Sequence, residues 1–472
     1  MVQFTATADR VADATAEERA ALGAAQRTLA ARLERLPITR THWRSRLIVG
    51  MATFFDGFDA LAIAFVMPVL AVAWKLTPAQ TGMLISGAYV GQVLGALFFP
   101  WFAEQFGRLR ATAYSAGLFG LASLLCGFSW SPPSLLIARF VQGCGLGGEV
   151  PVAATYINEI ARAPSRGRFF LMYETAFAVG YIGAASTGLW LVPNFGWQSI
   201  FFVGALPAIV AAVMRRLLPE SPRWLASKGR VAEADAIVTR MEGEAEAALG
   251  HPLPAPSASA VPPVEGRRTR FREMFALDYR TRTILVWTLW FCQFFTTQGL
   301  NTWLPTIYRT QLHLTVHETL QYSFLNYALG IGSALTVALL LDRTGRRLWF
   351  ALALPLGSLP LLILAGVGVT SVPELMILAW LSQFCHSTCS VSLYVYTPEL
   401  FPTRMRAFAV GTSATARNIG ASLSPTLIGI VLGSAGISYV FLMLGLVPLI
   451  GAAMVAIVGT ETKGRVLEEI SP

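Results

Sequence analysis

Gly107-Arg108-Leu109-Arg110 returns 238 residues later as Gly345-Arg346-Arg347, and this repeated stretch decides the fold. Two further pairs lie at or close to the same offset: Arg166-Gly167-Arg168 with Arg404-Met405-Arg406, and Pro219-Glu220-Ser221-Pro222-Arg223 with Thr460-Glu461-Thr462-Lys463-Gly464. All of these stretches lie at the ends of long apolar runs. The pattern is typical of a membrane bundle built from two related halves, and a soluble enzyme has no need of it.

The composition also indicates a membrane protein. Of the 472 residues, 54% are hydrophobic and 13% are charged, whereas soluble chains carry roughly 25% charged residues. Apolar runs of about 20 residues cross a bilayer as helices, because hydrocarbon offers the backbone no other hydrogen-bond partner. We predict an all-α membrane protein with twelve transmembrane helices, named spans 1 to 12, at residues 46–73, 80–103, 111–130, 134–161, 169–192, 198–217, 281–306, 317–341, 348–369, 374–398, 407–432 and 437–459.

Positive charge is distributed unevenly between the two sides of this bundle. The loops after spans 2, 4, 8 and 10 are rich in arginine, whereas the other loops carry little beyond Lys75 and Arg309. The positive-inside rule therefore places the basic loops and both termini in the cytoplasm, with the chain in the inner (plasma) membrane. The predicted domains are a cytoplasmic arm (1–45), a six-helix half (46–217), a cytoplasmic linker (218–280), a second six-helix half (281–459) and a cytoplasmic tail (460–472).

Several kinds of partner are not expected. The net charge of +9 does not indicate nucleic acid, because the arginines are dispersed at helix ends. No metal or other cofactor is expected, since Cys385, His386 and Cys389 have no further ligand pair nearby. No phosphate-binding loop of an ATP-driven pump is present. We expect a non-enzymatic, monomeric protein whose partners are the lipid bilayer and a small molecule.

Motifs along the whole chain resemble the major facilitator superfamily. The stretches Gly95–Arg110 and Asp342–Arg347 resemble its signature loop after helices 2 and 8. The first copy departs from the pattern, with Glu104-Gln105 where Asp-Arg is usual. Arg139–Gly143 resembles the helix-4 motif, and the stretches after spans 6 and 12 resemble the helix exits of sugar porters. The resemblance implies two six-helix halves with a substrate cavity between them.

A narrower set of motifs resembles the bacterial niacin transporter family. These are Asp56-Gly57-Phe58-Asp59, Gly145–Ala153, Glu174 with Ala178-Val179-Gly180, Phe195–Gln198, Trp303-Leu304-Pro305 and Tyr394–Glu399. The resemblance implies secondary uptake of a small aromatic carboxylate, nicotinate first, by alternating access coupled to protons. Aromatic-acid:proton symporters, synaptic-vesicle glycoproteins and organic-ion carriers share these motifs. The alternatives are therefore a benzoate-like or quinate-like acid, drug efflux, sugar transport or a receptor that transports nothing.

Ionisable residues inside the spans are the candidates for proton coupling. A charged group at mid-membrane costs roughly 2.5–3.5 kcal/mol on insertion scales unless it is paired, protonated or facing water. Asp56 and Asp59 lie three residues apart in span 1, so both can face one side. The other candidates are Glu149 in span 4, Glu174 in span 5, and Arg139, a possible partner for one of these acids. Structural ion pairing is the alternative role for each of them.

The substrate candidates combine one cation, several amides and aromatic rings. Arg417 in span 11 requires an anion, which is either a substrate carboxylate or a helix-1 acid. In the organic-anion carriers that the chain resembles, an arginine occupies the position of Asn418, so Arg417 is shifted by one residue, about 100° around the helix. Amides in span 7 suit a polar heterocycle. The remaining candidates are Gln293, Gln298, Asn301, Phe58, Tyr173 and Tyr394.

Charged residues in the basic loops are the candidates for a gate. In the superfamily, such residues bridge the two halves on the cytoplasmic side while the carrier is open outward. The candidates here are Arg108, Asp342, Arg343, Arg346, Glu220 and Arg223. Positive-inside anchoring alone would explain the sign of these charges but not the repeated glycines.

Overall fold

The computed structural model describes residues 16–162, 166–256, 271–369 and 371–463, and it leaves some side chains within these ranges undescribed, among them Glu174. In this part of the chain the regular structure is helical and no strand occurs. Each predicted span coincides with a helix, and span 6 is made of two short helices. Spans 1 to 12 are Arg40–Ala73, Pro78–Phe106, Arg108–Gly127, Pro132–Ile160, Arg166–Phe195, Gln198–Val203 with Pro207–Leu217, Leu277–Thr310, Val316–Thr344, Arg346–Val367, Val372–Glu399, Thr403–Ser434 and Ile437–Val458.

Turn chemistry in the sequence explains several of the helix starts. Thr77, Ser131 and Thr315 stand immediately before spans 2, 4 and 8, and each side chain accepts a hydrogen bond from a backbone N–H of the first turn. These N–H groups have no partner within the helix, so the caps stabilise its beginning. By length and composition alone, seven helices in the described ranges qualify as membrane-crossing. Spans 4, 7, 8, 10 and 11 are not among these seven.

The two halves touch closely at one end of the bundle and separate at the other. At the end away from the basic loops, spans 2 and 11 approach so closely that a Cβ on Gly82 would lie 2.4 Å from the carbonyl oxygen of Pro425. A Cβ on Gly429 would lie 2.3 Å from the carbonyl oxygen of Pro78. At the basic-loop end a cavity of about 710 Å³ lies between the halves. The structure is therefore open towards the basic loops.

Gly82→Val is expected to weaken the closed end, because its side chain cannot fit against the backbone of span 11. Thr426 Oγ1 donates to Ser86 Oγ at this contact, with the two oxygens 2.8 Å apart. A cysteine placed at Ser86 should then be labelled about fivefold faster by a thiol reagent added at this end, which corresponds to a population shift of about 1 kcal/mol.

Gly433→Val is the matched control for Gly82→Val. It lies on span 11, the other helix of the same contact, but its Cβ would lie 3.8 Å from Pro78, an ordinary contact. Equal labelling rates in the two variants would contradict the close approach of spans 2 and 11.

The arm and the linker form one packed layer at the basic-loop end. The arm helix (Ala16–Glu34) packs against the short helix Pro222–Ser227 and the linker helix (Val231–Leu249). Glu242 of the linker helix accepts hydrogen bonds from Arg32, at 2.7 Å, and from Arg35, at 2.6 Å. Although burial opposes ionisation, these two partners hold the pKa of Glu242 below its usual value. The first part of the linker is thus bound to the N-terminal arm.

Candidate functional site

A buried ion pair joins spans 1 and 4. Arg139 Nη1 lies 3.0 Å from Asp59 Oδ2 and 2.7 Å from Gln142 Oε1. Gln142 Nε2 donates in turn to Asp59 Oδ1, at 2.6 Å. Arg139 is 1% exposed and Asp59 is 2% exposed, so bulk water does not hydrate either charge. The three side chains, called the Asp59 group below, form a closed triangle of charge-assisted hydrogen bonds.

This geometry separates the two aspartates of span 1. Residues three positions apart on a helix differ in direction by about 60°, which still allows different partners. Asp59 is held by Arg139, whereas Asp56 interacts electrostatically with Arg417 of span 11 in the other half. The predicted common face therefore points one carboxylate into the N-terminal half and the other towards the interface between the halves.

Glu149 belongs to another buried group of the N-terminal half. Thr53 Oγ1 donates to Glu149 Oε1, at 2.9 Å, and lies 2.5 Å from the hydroxyl oxygen of Tyr173. Glu149 and Tyr173 are both almost fully buried. Phe58 is also buried and packs against Phe54 and Phe55 of the same span. The side chain of Glu174, the remaining acid predicted for coupling, lies outside the described residues.

Arg417 stands at the interface between the halves. Its Nε donates to Asn418 Oδ1, at 3.1 Å, and its Nη1 donates to the hydroxyl of Tyr394, at 3.2 Å. The guanidinium carbon lies 5.5 Å from the centre of the Phe294 ring. Across the interface it interacts with Asp56 and Tyr181. Together these residues, called the Arg417 group, combine a fixed cation, a nearby acid and aromatic surface.

The amides of span 7 are held by neighbouring helices. Gln293 Nε2 donates to Ser390 Oγ of span 10, at 3.0 Å, and to the carbonyl oxygen of His386. Asn301 Oδ1 accepts from Gln383 Nε2, at 2.9 Å. Gln298 Nε2 donates to the hydroxyl of Tyr89 in span 2, which belongs to the other half. Gln298 therefore links the two halves, while the other two amides brace spans 7 and 10.

The repeated basic loops have the same structure in both halves. Gly107 and Gly345 adopt φ values of +115° and +88°. A Cβ would lie 2.3 Å from the carboxylate of Glu220 at the first glycine and 2.6 Å from that of Glu461 at the second. Glu220 accepts from the backbone N–H of Leu109, at 2.9 Å, and Glu461 accepts from that of Arg346, at 2.9 Å. Both glycines are needed for the turn and for the capping carboxylate.

The arginine that follows each glycine is held by an acid at the end of a later span. Arg108 lies 3.1 Å from Glu159 at the end of span 4, and Arg346 lies 2.9 Å from Glu399 at the end of span 10. Glu104 lies 3.6 Å from Arg108 in the first loop. Asp342 occupies the corresponding position in the second loop and lies 2.8 Å from Arg346. The unusual first copy thus preserves the ion pair with a longer acid.

The contacts of the other gate candidates, Arg223 and Arg343, also lie within one half. Arg223 Nη2 donates to Glu34 of the arm helix, at 2.7 Å, and its Nε donates to the carbonyl oxygen of Glu159, at 2.9 Å. Arg343 is exposed, and its carbonyl oxygen accepts from Lys463. Among the described residues these contacts do not join the two halves, so the gating role stays a prediction.

Residues that sequence analysis did not select complete these groups. Gln142 lies one turn after Arg139, within the same span-4 motif, and could have been found from that spacing. Glu159 and Glu399 lie 240 residues apart, so the internal repeat carried a signal for them. Tyr89 and Tyr181 had no such signal, because their partners come from distant spans.

The chain is similar to several known membrane transporters. The profile of the family described as sugar (and other) transporter matches residues 31–472. The chain is 32% identical over 444 residues to the niacin transporter NiaP of Acinetobacter baylyi, covering 94% of this chain and 99% of that protein. It is 28% identical to the 4-hydroxybenzoate transporter PcaK of Pseudomonas aeruginosa, covering 84% and 88%. The solved structure of a D-xylose–proton symporter has a TM-score of 0.67 at 17% identity, covering 89% and 98%.

Proposed function

This chain belongs to the sugar (and other) transporter family of the major facilitator superfamily, and we propose that it imports nicotinate. It is a membrane transporter and not an enzyme. Uptake proceeds by alternating access and is coupled to protons. The protein acts as a monomer in the inner membrane, with the basic loops and both termini in the cytoplasm. The similarity to a niacin transporter supports the vitamin as first substrate.

The Arg417 group is the observation on which the substrate assignment depends. Arg417 is half-buried at the interface, and two neutral partners, Tyr394 and Asn418, orient its guanidinium. A carboxylate can approach the remaining N–H groups and form a bidentate pair. The rings of Phe294 and Tyr394 supply apolar surface for a flat heterocycle. An aromatic monocarboxylate matches this combination better than a hexose, which carries no charge.

The Asp59 group is the proposed site of coupling. A carboxylate in a dry, apolar setting can take up a proton when its cationic partner is drawn away. Arg139 has the alternative acceptor Gln142, 2.7 Å away, so it keeps a hydrogen bond when Asp59 is neutral. Movement between spans 1 and 4 would then decide when the proton is bound and when it is released. Asp56, opposite Arg417, would link this cycle to the substrate.

A benzoate-like acid is the second candidate, because the chain is also similar to a 4-hydroxybenzoate transporter. Benzoate and nicotinate share the carboxylate and the flat ring and differ at one ring nitrogen. The Arg417 group offers partners only for the features that the two ligands share, the carboxylate and the flat ring. Side-by-side binding of the two acids to purified protein distinguishes these candidates.

Nicotinate is expected to bind at least about tenfold more tightly than nicotinamide, a difference of roughly 1.4 kcal/mol. The amide has the same ring but no charge, so it cannot form the ion pair with Arg417. Isothermal titration of the purified protein with nicotinate, nicotinamide and benzoate measures the difference directly.

Equal affinity for the acid and the amide would remove the carboxylate from the proposal. Binding of hexoses without either pyridine ligand would instead assign the chain to sugar transport. Tighter binding of benzoate than of nicotinate would favour the second candidate while leaving the role of Arg417 intact.

A further inference from the structure

The cavity at the basic-loop end contains a cation that the central site does not use. It lies between spans 4, 10 and 11, and its lining includes Asn158, Glu159 and Arg223 on one side and Arg406, Val410 and Gly411 on the other. Its volume of about 710 Å³ is within the range of sites for small organic ligands.

Most of the charges around the cavity are already compensated. Glu159 lies 3.1 Å from Arg108, and Arg223 lies 2.7 Å from Glu34. Arg406 is different: its recorded hydrogen bond runs from Nε to the neutral carbonyl oxygen of Phe401, at 3.1 Å. Among the described residues no carboxylate forms an ion pair with Arg406. Both terminal nitrogens of its guanidinium can therefore donate to a ligand.

Helical geometry places Arg406 in line with the central site. Arg406 and Arg417 lie on the same helix, eleven residues apart, which corresponds to about three turns and about 16.5 Å. Their directions differ by only about 20°. Val410 and Gly411 lie between them along the cavity, and no atom lies within 4 Å of a Cβ built on Gly411. This side of span 11 thus carries one arginine near the cavity and one at the central site.

We propose that Arg406 forms a second organic-anion site, at which a carboxylate pauses between the Arg417 group and the solution at the basic-loop end. This inference rests on the proposed transport of a carboxylate and adds a site on its route. A cation in a partly enclosed cavity concentrates anions there, and its effect falls as salt screens it. The site should therefore act on substrate presented from this end only.

Transport by the full-length protein in oriented proteoliposomes tests the proposal. Arg406→Gln is expected to raise the apparent KM for nicotinate presented at the basic-loop side by about fivefold. The KM at the opposite side should change less than twofold. Added salt should raise the wild-type KM towards that of the variant, and Arg406→Lys should retain most of the wild-type behaviour. Nicotinamide flux, where measurable, should not respond to Arg406→Gln.

A second variant guards against a folding defect in Arg406→Gln. Val410→Glu places a carboxylate one turn from Arg406, where it competes with the ligand, and should raise the same KM; Val410→Gln is its control. Arg216→Gln removes an exposed arginine at the same end, outside the cavity, and should change neither KM. The second site would be overturned if these variants raised the KM equally on both sides. It would also be overturned if neither Arg406→Gln nor Val410→Glu raised the KM at the basic-loop side. Absence of aromatic-carboxylate transport by the wild type would instead overturn the proposed function.

Discussion

Asp59→Asn is expected to abolish uphill uptake of substrate while exchange of substrate across the membrane continues. Asparagine keeps the shape of the protonated acid and can still hydrogen-bond to Arg139 and Gln142, but it has no proton to release. Without a titratable group in the Asp59 group, the cycle can equilibrate substrate but cannot concentrate it. Uptake driven by a pH gradient, compared with counterflow at equal pH in the same proteoliposomes, measures the two activities.

Loss of stability must be separated from loss of coupling in this experiment. Asp59→Asn leaves the guanidinium of Arg139 buried without a counter-charge, and removing one partner of a buried pair costs about 3–5 kcal/mol. The double variant Asp59→Asn/Arg139→Gln removes both charges, so its thermal midpoint in detergent should recover towards wild type while uphill uptake stays absent. Asp56→Asn is the matched comparison in the same span. Concentrative, pH-dependent uptake in Asp59→Asn would exclude Asp59 as the proton carrier and direct attention to Asp56 and Glu149.

Arg417→Gln is expected to weaken nicotinate binding by about 2 kcal/mol, roughly thirtyfold, because a hydrogen-bonded charge pair is replaced by neutral hydrogen bonds. Nicotinamide should lose less than about threefold, since it makes no ion pair. The selectivity for the acid over the amide should thus nearly disappear. Titration of both ligands into purified wild-type and variant protein gives the ratio directly.

Arg417→Lys tests whether geometry contributes beyond charge. Lysine keeps the positive charge but lacks the planar fork that can bind a carboxylate while stacking on Phe294 and donating to Tyr394. Its nicotinate affinity should fall between those of wild type and Arg417→Gln. If both ligands weaken by the same factor in Arg417→Gln, Arg417 has an intramolecular role, as the partner of Asp56, and does not bind the substrate carboxylate.

Much of the fold was predictable because it follows from local properties of the chain. The length of an apolar run decides whether a helix can cross a bilayer, and each predicted span coincides with one or two helices. The repeats at Gly107 and Gly345 predicted two related loops, and both glycines adopt positive φ beside a capping glutamate. The packing of the arm on the linker helix was not predicted, since Glu242 and Arg32 are 210 residues apart.

By itself, the sequence determined the twelve spans, the duplication and the set of ionisable residues buried among apolar neighbours. Only the tertiary structure decided how these residues are paired. Asp56 and Asp59 are both aspartates of one apolar helix, but the rotation of span 1 pairs Asp59 with Arg139, while Asp56 lies within electrostatic range of Arg417. Helix rotation, and the end at which the halves touch, depend on close packing between spans far apart in the chain, as at Gly82 and Pro425. No local sequence pattern specifies the rotation of a helix, because the rotation is fixed by close packing against neighbouring helices.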